Sequence, residues 1–437
     1  MSTIKIKHKL GLVFFPAFDW AIHPTHSERE ERLLYTRDQI FEEGIEDIEG
    51  IEFYNPLVAT EKDVSRVHFC VPDVQSRLTE SHLIAAGGGI VALQKVMEKE
   101  VDKAFALVRP PGHHAFKVVH GSKGFCTINN EAIMLEKIRQ EYGPLRVAII
   151  DTDCHHGDGT QDIYWNDPDT LFISIHQDGR TLYPGSGFIE EFGGPGAYGY
   201  NINIPLPPET GDEGYLYVID NLVLPILADY KPDLIVNSAG QDNHYTDPLT
   251  RMNFTAQGYA KLNDKLNPHV AVLEGGYSIE GGLPYVNLGI ILALAGLDYS
   301  HVKEPDYREV RVKQPAEIAD YIAQLCEVIY TYWKERDQLK AEYFKGLDRF
   351  ERTKRVYYDT DGILANQVER FKLCPKCSGV STIDSHSDQG DHILAVIIPR
   401  DACPDCIDEG YKTYKEGNGS YSNIYLQDRV NDCFLAK

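Results

Sequence analysis

Four polar clusters in this chain hold residue types that bind metal ions or move protons. The run RPPGHH ends in His113 and His114, and the run DTDCHHGDG contains Asp151, Asp153 and His155. The prolines and the glycine of the first run can present both imidazoles to one cleft. Asp151, Asp153 and His155 alternate along the chain, so a strand continuing through them puts all three on one face. Carboxylate oxygens and an imidazole on one face can bind a single cation.

Two further clusters offer a carboxylate and a phenol. Asp242 ends the run SAGQD, and the run LEGGY places Tyr277 directly after Gly275 and Gly276. Adjacent glycines allow the backbone to approach a ligand closely because they lack a Cβ atom. Taken singly, each cluster has an ordinary explanation, since histidine pairs often serve packing and an aspartate after a strand often caps a helix. Their joint occurrence favours a functional site.

The segments that precede these clusters predict the scaffold that brings them together. Between residues 104 and 275, short runs rich in Val, Ile, Leu and Phe lead into polar residues: AFALVRP, RVAIID, TLFISIH, YNINIPL, DLIVNSA and HVAVLEG. Helical patterns over 130–142 and 213–230 lie between some of these runs. Such alternation predicts an open, mostly parallel α/β sheet with helices on both faces. Ligands bind at the carboxyl ends of such strands, so the four clusters can converge.

The flanking segments carry their own predictions. Residues 281–297 and 316–343 have the pattern of helices that close the domain, and Gly87–Gly89 predicts the start of a helix or an interruption in one. The first twenty residues predict a strand and a loop rather than a secretion signal, because Pro16 and Asp19 break their apolar run.

Six motifs resemble those of the histone deacetylase family: RPPGHH, GFCTINN, DTDCHHGDG, SIHQDGRTLYPGSG, SAGQD and LEGGY. They span residues 109–277, and the resemblance extends over about 10–345. It implies a zinc-dependent amidohydrolase that removes an acetyl or similar acyl group from an amine, most simply from the lysine side chain. In such enzymes zinc polarises the amide carbonyl and acidifies water, while a histidine moves the proton to the leaving amine.

The resemblance also assigns roles residue by residue. It implies that the catalytic zinc is bound by Asp153, His155 and Asp242. The tandem histidines beside the water match His113 and His114, with His114 as the proton carrier. The carboxylates that hydrogen-bond their rings match Asp151 and Asp158, and the phenol that donates to the developing oxyanion matches Tyr277.

The substrate tunnel and a second ion are implied in the same way. Candidate substrate-binding residues are Gly124, Phe125, Tyr183, Leu249, Gly275 and Gly276. Tyr183 departs from the family pattern, which has Phe there. A potassium site built largely from backbone carbonyls would involve Asp151, Asp153, His155, Ser174 and Ile175. Arg32 resembles the arginine near an acetate exit path.

The C-terminal region lies outside this resemblance and contains two CxxC pairs separated by 25 residues: Cys374, Cys377, Cys403 and Cys406. Four thiolates at this spacing suit a tetrahedral structural zinc in a small zinc-ribbon-like module, and a redox role is the alternative. The predicted division is a catalytic domain over 1–345, a linker over 346–368 and this module over 369–437. The other five cysteines are expected to serve packing.

Composition limits the partners. The 437 residues carry a formal net charge of −23, which opposes direct binding to nucleic acid and suits a cationic partner such as a lysine-rich peptide or a polyamine. No stretch reaches the roughly 20 apolar residues of a membrane span. Nine cysteines, four of them in CxxC pairs, indicate a reducing compartment and hence the cytoplasm.

Three other functions are alternatives to deacetylation of acetyl-lysine. An acetylpolyamine amidohydrolase is the nearest alternative, but Leu249 stands where one polyamine-selective branch has a glutamate. A non-catalytic acetyl-lysine binding protein would not need His113, His114 and Tyr277 together. An arginase-like enzyme with two manganese ions would need further aspartate motifs that the chain lacks.

Overall fold

An all-parallel, eight-stranded sheet forms the centre of the N-terminal three quarters of the chain. The computed structural model describes residues 5–14, 22 and 25–437, and the predicted loop with Pro16 and Asp19 lies outside them. In this described part the strands up to residue 273 are β1 Leu10–Phe14, β2 Ile51–Tyr54, β3 Phe69–Cys70, β4 Lys103–Leu107, β5 Val118–Val119, β6 Val147–Asp151, β7 Thr170–Gln177, β8 Asn201–Leu206, β9 Leu234–Ala239 and β10 Val270–Leu273. The sheet has the order β2-β1-β4-β10-β9-β6-β7-β8, and β3 pairs separately with β5.

Helices cover both faces of this sheet, as predicted. Within the described residues they are α1 Glu31–Glu42, α2 Glu61–Ser65, α3 Val74–Arg77, α4 Glu80–Met97, α5 Asn130–Tyr142, α6 Asp158–Tyr164, α7 Asp212–Val218, α8 Leu224–Tyr230, α9 Ala256–Leu266, α10 Leu283–Ala295, α11 Glu309–Val312 and α12 Ala316–Tyr343. A π-helical turn, Ile219–Val223, joins α7 to α8, and Ile45–Asp47 is a 3₁₀ turn. The central strands are apolar because each face packs against helices, in two separate cores.

One glycine run behaves differently from the prediction. Gly87–Gly89 neither starts nor interrupts a helix but lies in the middle of α4. A Cβ atom at residue 87 would lie 1.9 Å from the carbonyl oxygen of Leu57, so the glycine permits close packing of the helix.

The C-terminal residues form a second, six-stranded sheet with one helix. Its elements are β11 Arg349–Tyr358, β12 Ile363–Lys372, β13 Ser381–Ser387, β14 His392–Ile398, α13 Pro404–Glu416, β15 Asn423–Asp428 and β16 Cys433–Ala436. The strands follow one another in sequence order, and only β14 and β15, which α13 connects, are parallel. This region is larger than the ribbon that the cysteine spacing predicted.

The predicted linker over 346–368 is wrong. Strand β11 and the first half of β12 occupy it, paired along their whole length. Charged residues on the buried face explain the error, since Arg352 and Lys354 point inward with Val356 and Tyr358. An alternating strand whose inward positions are partly basic looks, in sequence, like a charged linker.

This second sheet packs closely on the catalytic domain. Apolar residues of the strands β12 to β15 meet residues 69–71 and 116–118, and a buried ion cluster adds to the contact. In that cluster the Lys117 ammonium lies 2.6 Å from Glu369, and Arg352 lies 2.9 Å from Asp162. No helix among the described residues is long and apolar enough to cross a membrane.

Candidate active site

The four polar clusters follow four strands that are neighbours in the sheet. Strands β4, β10, β9 and β6 lead, in that order, into residues 109–114, 274–277, 240–242 and 151–158. Glu274 joins two of these clusters, because its Oε2 accepts the backbone N–H groups of Gly112 and His113 at 2.7 and 3.0 Å. The carboxyl ends of parallel strands thus bring together residues that are distant in sequence.

Asp153, His155 and Asp242 form a compact group of metal-ligand side chains. His155 Nδ1 lies 2.9 Å from Asp242 Oδ2 and 3.1 Å from Asp153 Oδ1, and both carboxylates are fully buried. Burial and the neighbouring Asp153 charge raise the pKa of Asp242. Buried like charges at one point need a cation to offset their repulsion.

Backbone N–H groups hold the outer oxygens of these carboxylates. Cys154 N donates to Asp242 Oδ1 at 2.7 Å, and Gly275 N donates to Asp153 Oδ2 at 2.8 Å. A Cβ atom at residue 240 or 275 would lie 2.1 or 2.6 Å from Asp153 Oδ2, which explains the two glycines. The carboxylates are therefore fixed before any ion binds.

This donor set fits zinc. With metal–ligand bonds of about 2.0–2.1 Å, tetrahedral coordination places neighbouring ligand atoms about 3.3 Å apart. The 2.9 and 3.1 Å separations at His155 come close to this value. Three protein ligands leave one coordination position for water and substrate, as in catalytic zinc sites.

Each of the tandem histidines has a carboxylate behind it. His113 Nδ1 lies 3.0 Å from Asp151 Oδ2, and His114 Nδ1 lies 2.8 Å from Asp158 Oδ1. Burial alone would lower the pKa of His113, but the charges of Asp153 and Asp151 raise it well above the ordinary value. Burial, with the charges of His113 and Lys123, lowers the pKa of His114. His113 therefore favours the charged form, and His114 favours the neutral form.

A cavity of about 360 Å³ opens from these histidines to the surface. It is lined by His113, His114, Gly124, Phe125, His155, Leu182, Tyr183, Leu249, Tyr277 and Asp359. Tyr277 is 7% exposed, its backbone N–H donates to Asp247 Oδ2 at 2.7 Å, and burial raises the pKa of its phenol well above the ordinary value. The hydroxyl thus stays protonated and can donate a hydrogen bond.

The walls of the cavity depend on an unusual backbone turn. Gly124 and Phe125 have positive φ angles of 53° and 70°. A Cβ atom at residue 124 would lie 2.4 Å from the His114 ring, so only glycine fits beside the histidine. The Phe125 ring packs edge-on against Tyr277, and the Tyr183 ring edge-on against His114.

Two of the predicted substrate-binding residues lie behind the cavity instead of lining it. Gly275 supports Asp153 through its N–H, and the Gly276 carbonyl accepts a hydrogen bond from Arg32 Nε at 2.8 Å. Arg32 is fully buried and pairs with Glu28 at 3.1 Å. Gly275 and Gly276 are therefore held against the Asp153 carboxylate and Arg32, and their contact with substrate stays a prediction.

The residues of the predicted potassium site lie on neighbouring strands. Asp151 on β6 is in register with Ser174 on β7. The Ser174 hydroxyl lies 2.8 Å from His176 Nδ1, and the Ile175 carbonyl accepts a hydrogen bond from Tyr215 at 3.4 Å. Potassium binding stays a prediction.

Two residues of the site were not found from the sequence. Lys123 Nζ lies 2.5 Å from Asp158 Oδ2 and 3.2 Å from the Tyr183 hydroxyl. Asp359, in the predicted linker, accepts a hydrogen bond from that hydroxyl at 2.6 Å. Lys123 directly precedes GFCTINN and could have been singled out, whereas nothing in the sequence links Asp359 to the site.

The four CxxC cysteines also converge. Their sulfur atoms lie within 4.8 Å of one another, and Cys374 Sγ is 3.7 Å from Cys403 Sγ. Tetrahedral zinc with Zn–S bonds of about 2.3 Å separates its sulfurs by about 3.8 Å. The Lys376 N–H points at Cys374 and lowers the pKa of that thiol to about 7, whereas burial raises the pKa of Cys377 and raises that of Cys406 to about 12. The group fits a structural zinc site at the edge of the second sheet.

Comparison with known proteins identifies the family. The family model described as histone deacetylase domain matches residues 49–283, more than half of the chain. The chain belongs to the histone deacetylase family. A probable deacetylase of Archaeoglobus fulgidus is 43% identical over 362 residues, which cover 77% of this chain and 94% of that relative.

Two further relatives agree. A histone deacetylase-like amidohydrolase of Pseudomonas aeruginosa is 38% identical over 254 residues, covering 56% of this chain and 66% of the relative. The crystal structure of the HDA15 HD domain superposes with a TM-score of 0.64 at 25% identity, covering 78% of this chain and 99% of that one. The chain is therefore a deacetylase of a family that is zinc-dependent in general, and the predicted enzyme class and fold are confirmed.

Proposed function

We propose that this deacetylase hydrolyses the side-chain amide of acetyl-lysine, with zinc bound by Asp153, His155 and Asp242. The observation that carries the proposal is the convergence, at the inner end of one cavity, of these three ligands with two histidine–aspartate pairs and a phenol. A cavity of about 360 Å³ lined by Phe125, Leu182, Tyr183 and Leu249 suits a methylene chain that carries its acyl group toward the metal ligands. A bound zinc ion would supply Lewis-acid activation of the amide carbonyl and of water.

The two histidines have different roles: His114 carries the proton, and His113 stabilises charge. Asp158 engages His114 Nδ1, so Nε2 is the atom left to accept a proton from the attacking water. The lowered pKa of His114 keeps this nitrogen unprotonated in the resting enzyme. After addition, the same nitrogen returns the proton to the leaving amine. His113, favoured in the charged form by Asp151 and Asp153, stabilises the negative charge that develops beside it.

Tyr277 supplies the remaining donor. Its hydroxyl makes no hydrogen bond to the described residues, and its ring lines the cavity beside Phe125. A phenol held in this way can donate to the carbonyl oxygen as charge develops there. Phe125 and Tyr183 would then flank the methylene chain, and the products are acetate and a free amine.

The same proposal has four further parts. They are potassium near Ser174, a cytoplasmic location, a domain division near residue 345, and structural zinc at Cys374, Cys377, Cys403 and Cys406. The separation of the cysteine sulfurs supports the structural zinc, and the cysteine usage supports the cytoplasmic location. An acylated polyamine is the second candidate substrate, because the carboxylate of Asp359 lies at the mouth of the cavity.

Hydrolysis of an acetyl-lysine peptide by the purified chain tests the proposal. We expect turnover that is lost on removal of metal with a chelator and restored by zinc. Acetylated polyamine and longer acyl-lysine peptides, measured in parallel, rank the substrates. A zinc-loaded protein that binds the acetyl-lysine peptide without releasing acetate would contradict catalysis and favour a binding role.

A further inference from the structure

The turn between β11 and β12 docks on the loop that carries Phe125. Asp361 Oδ2 accepts the Ser122 N–H at 2.6 Å, and Thr360 N donates to the Ser122 carbonyl at 3.4 Å. A Cβ atom at Gly121 would lie 2.6 Å from Asp361 Oδ2, so this glycine permits the close approach. The second sheet therefore reaches the wall of the active-site cavity.

Asp359 in this turn holds both walls of the cavity mouth. Its two oxygens accept the Gly124 N–H at 3.1 and 3.2 Å, and Oδ2 also accepts the Tyr183 hydroxyl at 2.6 Å. Tyr183 is 39% exposed, so its hydroxyl lies near the surface, while its ring reaches His114 at a centroid distance of 5.3 Å. The carboxylate is therefore fixed at the outer end of the cavity, one tyrosine ring away from the histidines.

The charge of Asp359 is not neutralised by the chain. Lys123 is the nearby cation, but it pairs with Asp158 at 2.5 Å. In the part of the chain that the structure describes, no Lys, Arg or His nitrogen lies within the 4.0 Å of an ion pair with Asp359. Leu182 and Leu249 line the same cavity. The mouth thus combines apolar walls with one negative charge held in place.

We propose that Asp359 is a specificity-determining residue that selects substrates with a positive charge beyond the scissile amide. The substrate class is an N-acyl amine in which a methylene chain separates the amide from an ammonium group. The chain would lie along Leu182 and Leu249, and the ammonium would meet the carboxylate at the mouth. The overall charge of −23 would further attract such a cation. This inference rests on the proposed function and assigns a substrate-binding residue to the C-terminal sheet.

Matched substrates test the charge. One is Nε-acetyl-lysine methylamide with a free α-amine, and the other is the same molecule with the α-amine acetylated and neutral. Asp359→Asn keeps the size of the side chain and removes its charge. We expect kcat/KM for the charged substrate to fall about 5- to 20-fold, mainly through KM, because a partly exposed charge pair is lost. The neutral substrate should change by less than about twofold.

A control variant separates the loss of the Asp359 charge from a structural effect, and a control substrate shows whether the rest of the lysine molecule matters. Glu351→Gln removes one exposed negative charge from β11, the strand that leads into this turn, and does not line the cavity, so it should leave kcat/KM for both substrates unchanged. A monoacetylated diamine carries the ammonium without the lysine carboxamide and should lose the same factor in Asp359→Asn. Equal losses for charged and neutral substrates, or no loss for either, would overturn the proposal.

Binding gives a reading that does not need turnover. In the His114→Ala background, calorimetry of the same charged and neutral amides should show that Asp359→Asn weakens only the charged ligand, again about 5- to 20-fold. Equal affinities with and without the Asp359 charge would refute the inference even if the enzyme is an active deacetylase. Absence of hydrolysis in the wild type would refute the proposed function alone.

Discussion

Replacing Tyr277 by Phe removes one hydrogen-bond donor and leaves the packing of the ring intact. The ring contacts Phe125 at a centroid distance of 5.6 Å, and the Arg32 guanidinium lies 5.0 Å over it, so both contacts persist in the variant. The hydroxyl makes no hydrogen bond within the described chain, so the folded state loses little. Loss of a donor to a developing oxyanion costs about 10²- to 10³-fold in kcat, or roughly 3–4 kcal/mol of transition-state stabilisation.

Steady-state hydrolysis of an acetyl-lysine substrate measures this change. KM should move less than kcat, because the donor acts mainly as charge develops in the transition state. Zinc content and melting temperature should match the wild type. Tyr230→Phe, which removes a buried hydroxyl on α8 far from the cavity, serves as the control and should retain full turnover. A Tyr277→Phe enzyme with more than about a third of wild-type kcat would refute the oxyanion assignment.

Three further predictions concern the tandem histidines, Lys123, and the ion cluster between the second sheet and the catalytic domain. His114→Ala should abolish turnover and His113→Ala should only reduce it, because His114 carries the proton; kcat values in the opposite order would mean that the roles are exchanged. Lys123→Met should lower kcat/KM by about tenfold by releasing Asp158 and Tyr183, with unchanged zinc content, and wild-type kinetics would show that this lysine is not needed. Burial would raise the pKa of Glu369, but Arg352, Lys117 and Lys354 hold it well below the ordinary value. Its ion pairs therefore stabilise the fold above about pH 4.3, the unfolded pKa, and this contribution is lost as the pH falls through the lower folded pKa. Glu369→Gln should cost about 3–5 kcal/mol of unfolding free energy at pH 7 and less at pH 3, whereas the exposed Glu351→Gln on β11 should cost under about 1 kcal/mol; equal values at both pH values would refute the pairing.

The catalytic half of the site was predictable because its residues obey a positional rule. Each cluster directly follows a continuous apolar run, and parallel strands present their carboxyl ends at one edge. This rule predicted that the clusters converge, and the family resemblance then assigned Asp153, His155 and Asp242 to one cation, although 88 residues lie between the first and the last. Helices α5 and α12 were predicted with their observed bounds, since their patterns are long and strongly periodic.

The C-terminal part of the site depended on contacts that the sequence does not display. Arg352 and Lys354 point inward because Asp162 and Glu369 pair with them, and Asp162 lies in helix α6, far away in the sequence. Because these partners are not visible in the local sequence, β11 has the composition expected of a linker. The role of Asp359 followed from the docking of its turn on residues 121–124, which no local pattern encodes. The prediction that Gly87 starts or interrupts a helix fails for a similar reason, because the Leu57 carbonyl that packs against it comes from another segment.

The central claim is that Asp153, His155 and Asp242 hold the catalytic zinc, and zinc content per chain tests it most directly. Metal analysis of the wild type should give close to two zinc ions, one at this group and one at the four cysteines. Asp242→Ala should lose one ion together with all turnover, while Cys374→Ser should lose the other and keep most of its catalytic rate. An Asp242→Ala protein that retains both its zinc and its activity would contradict the assignment.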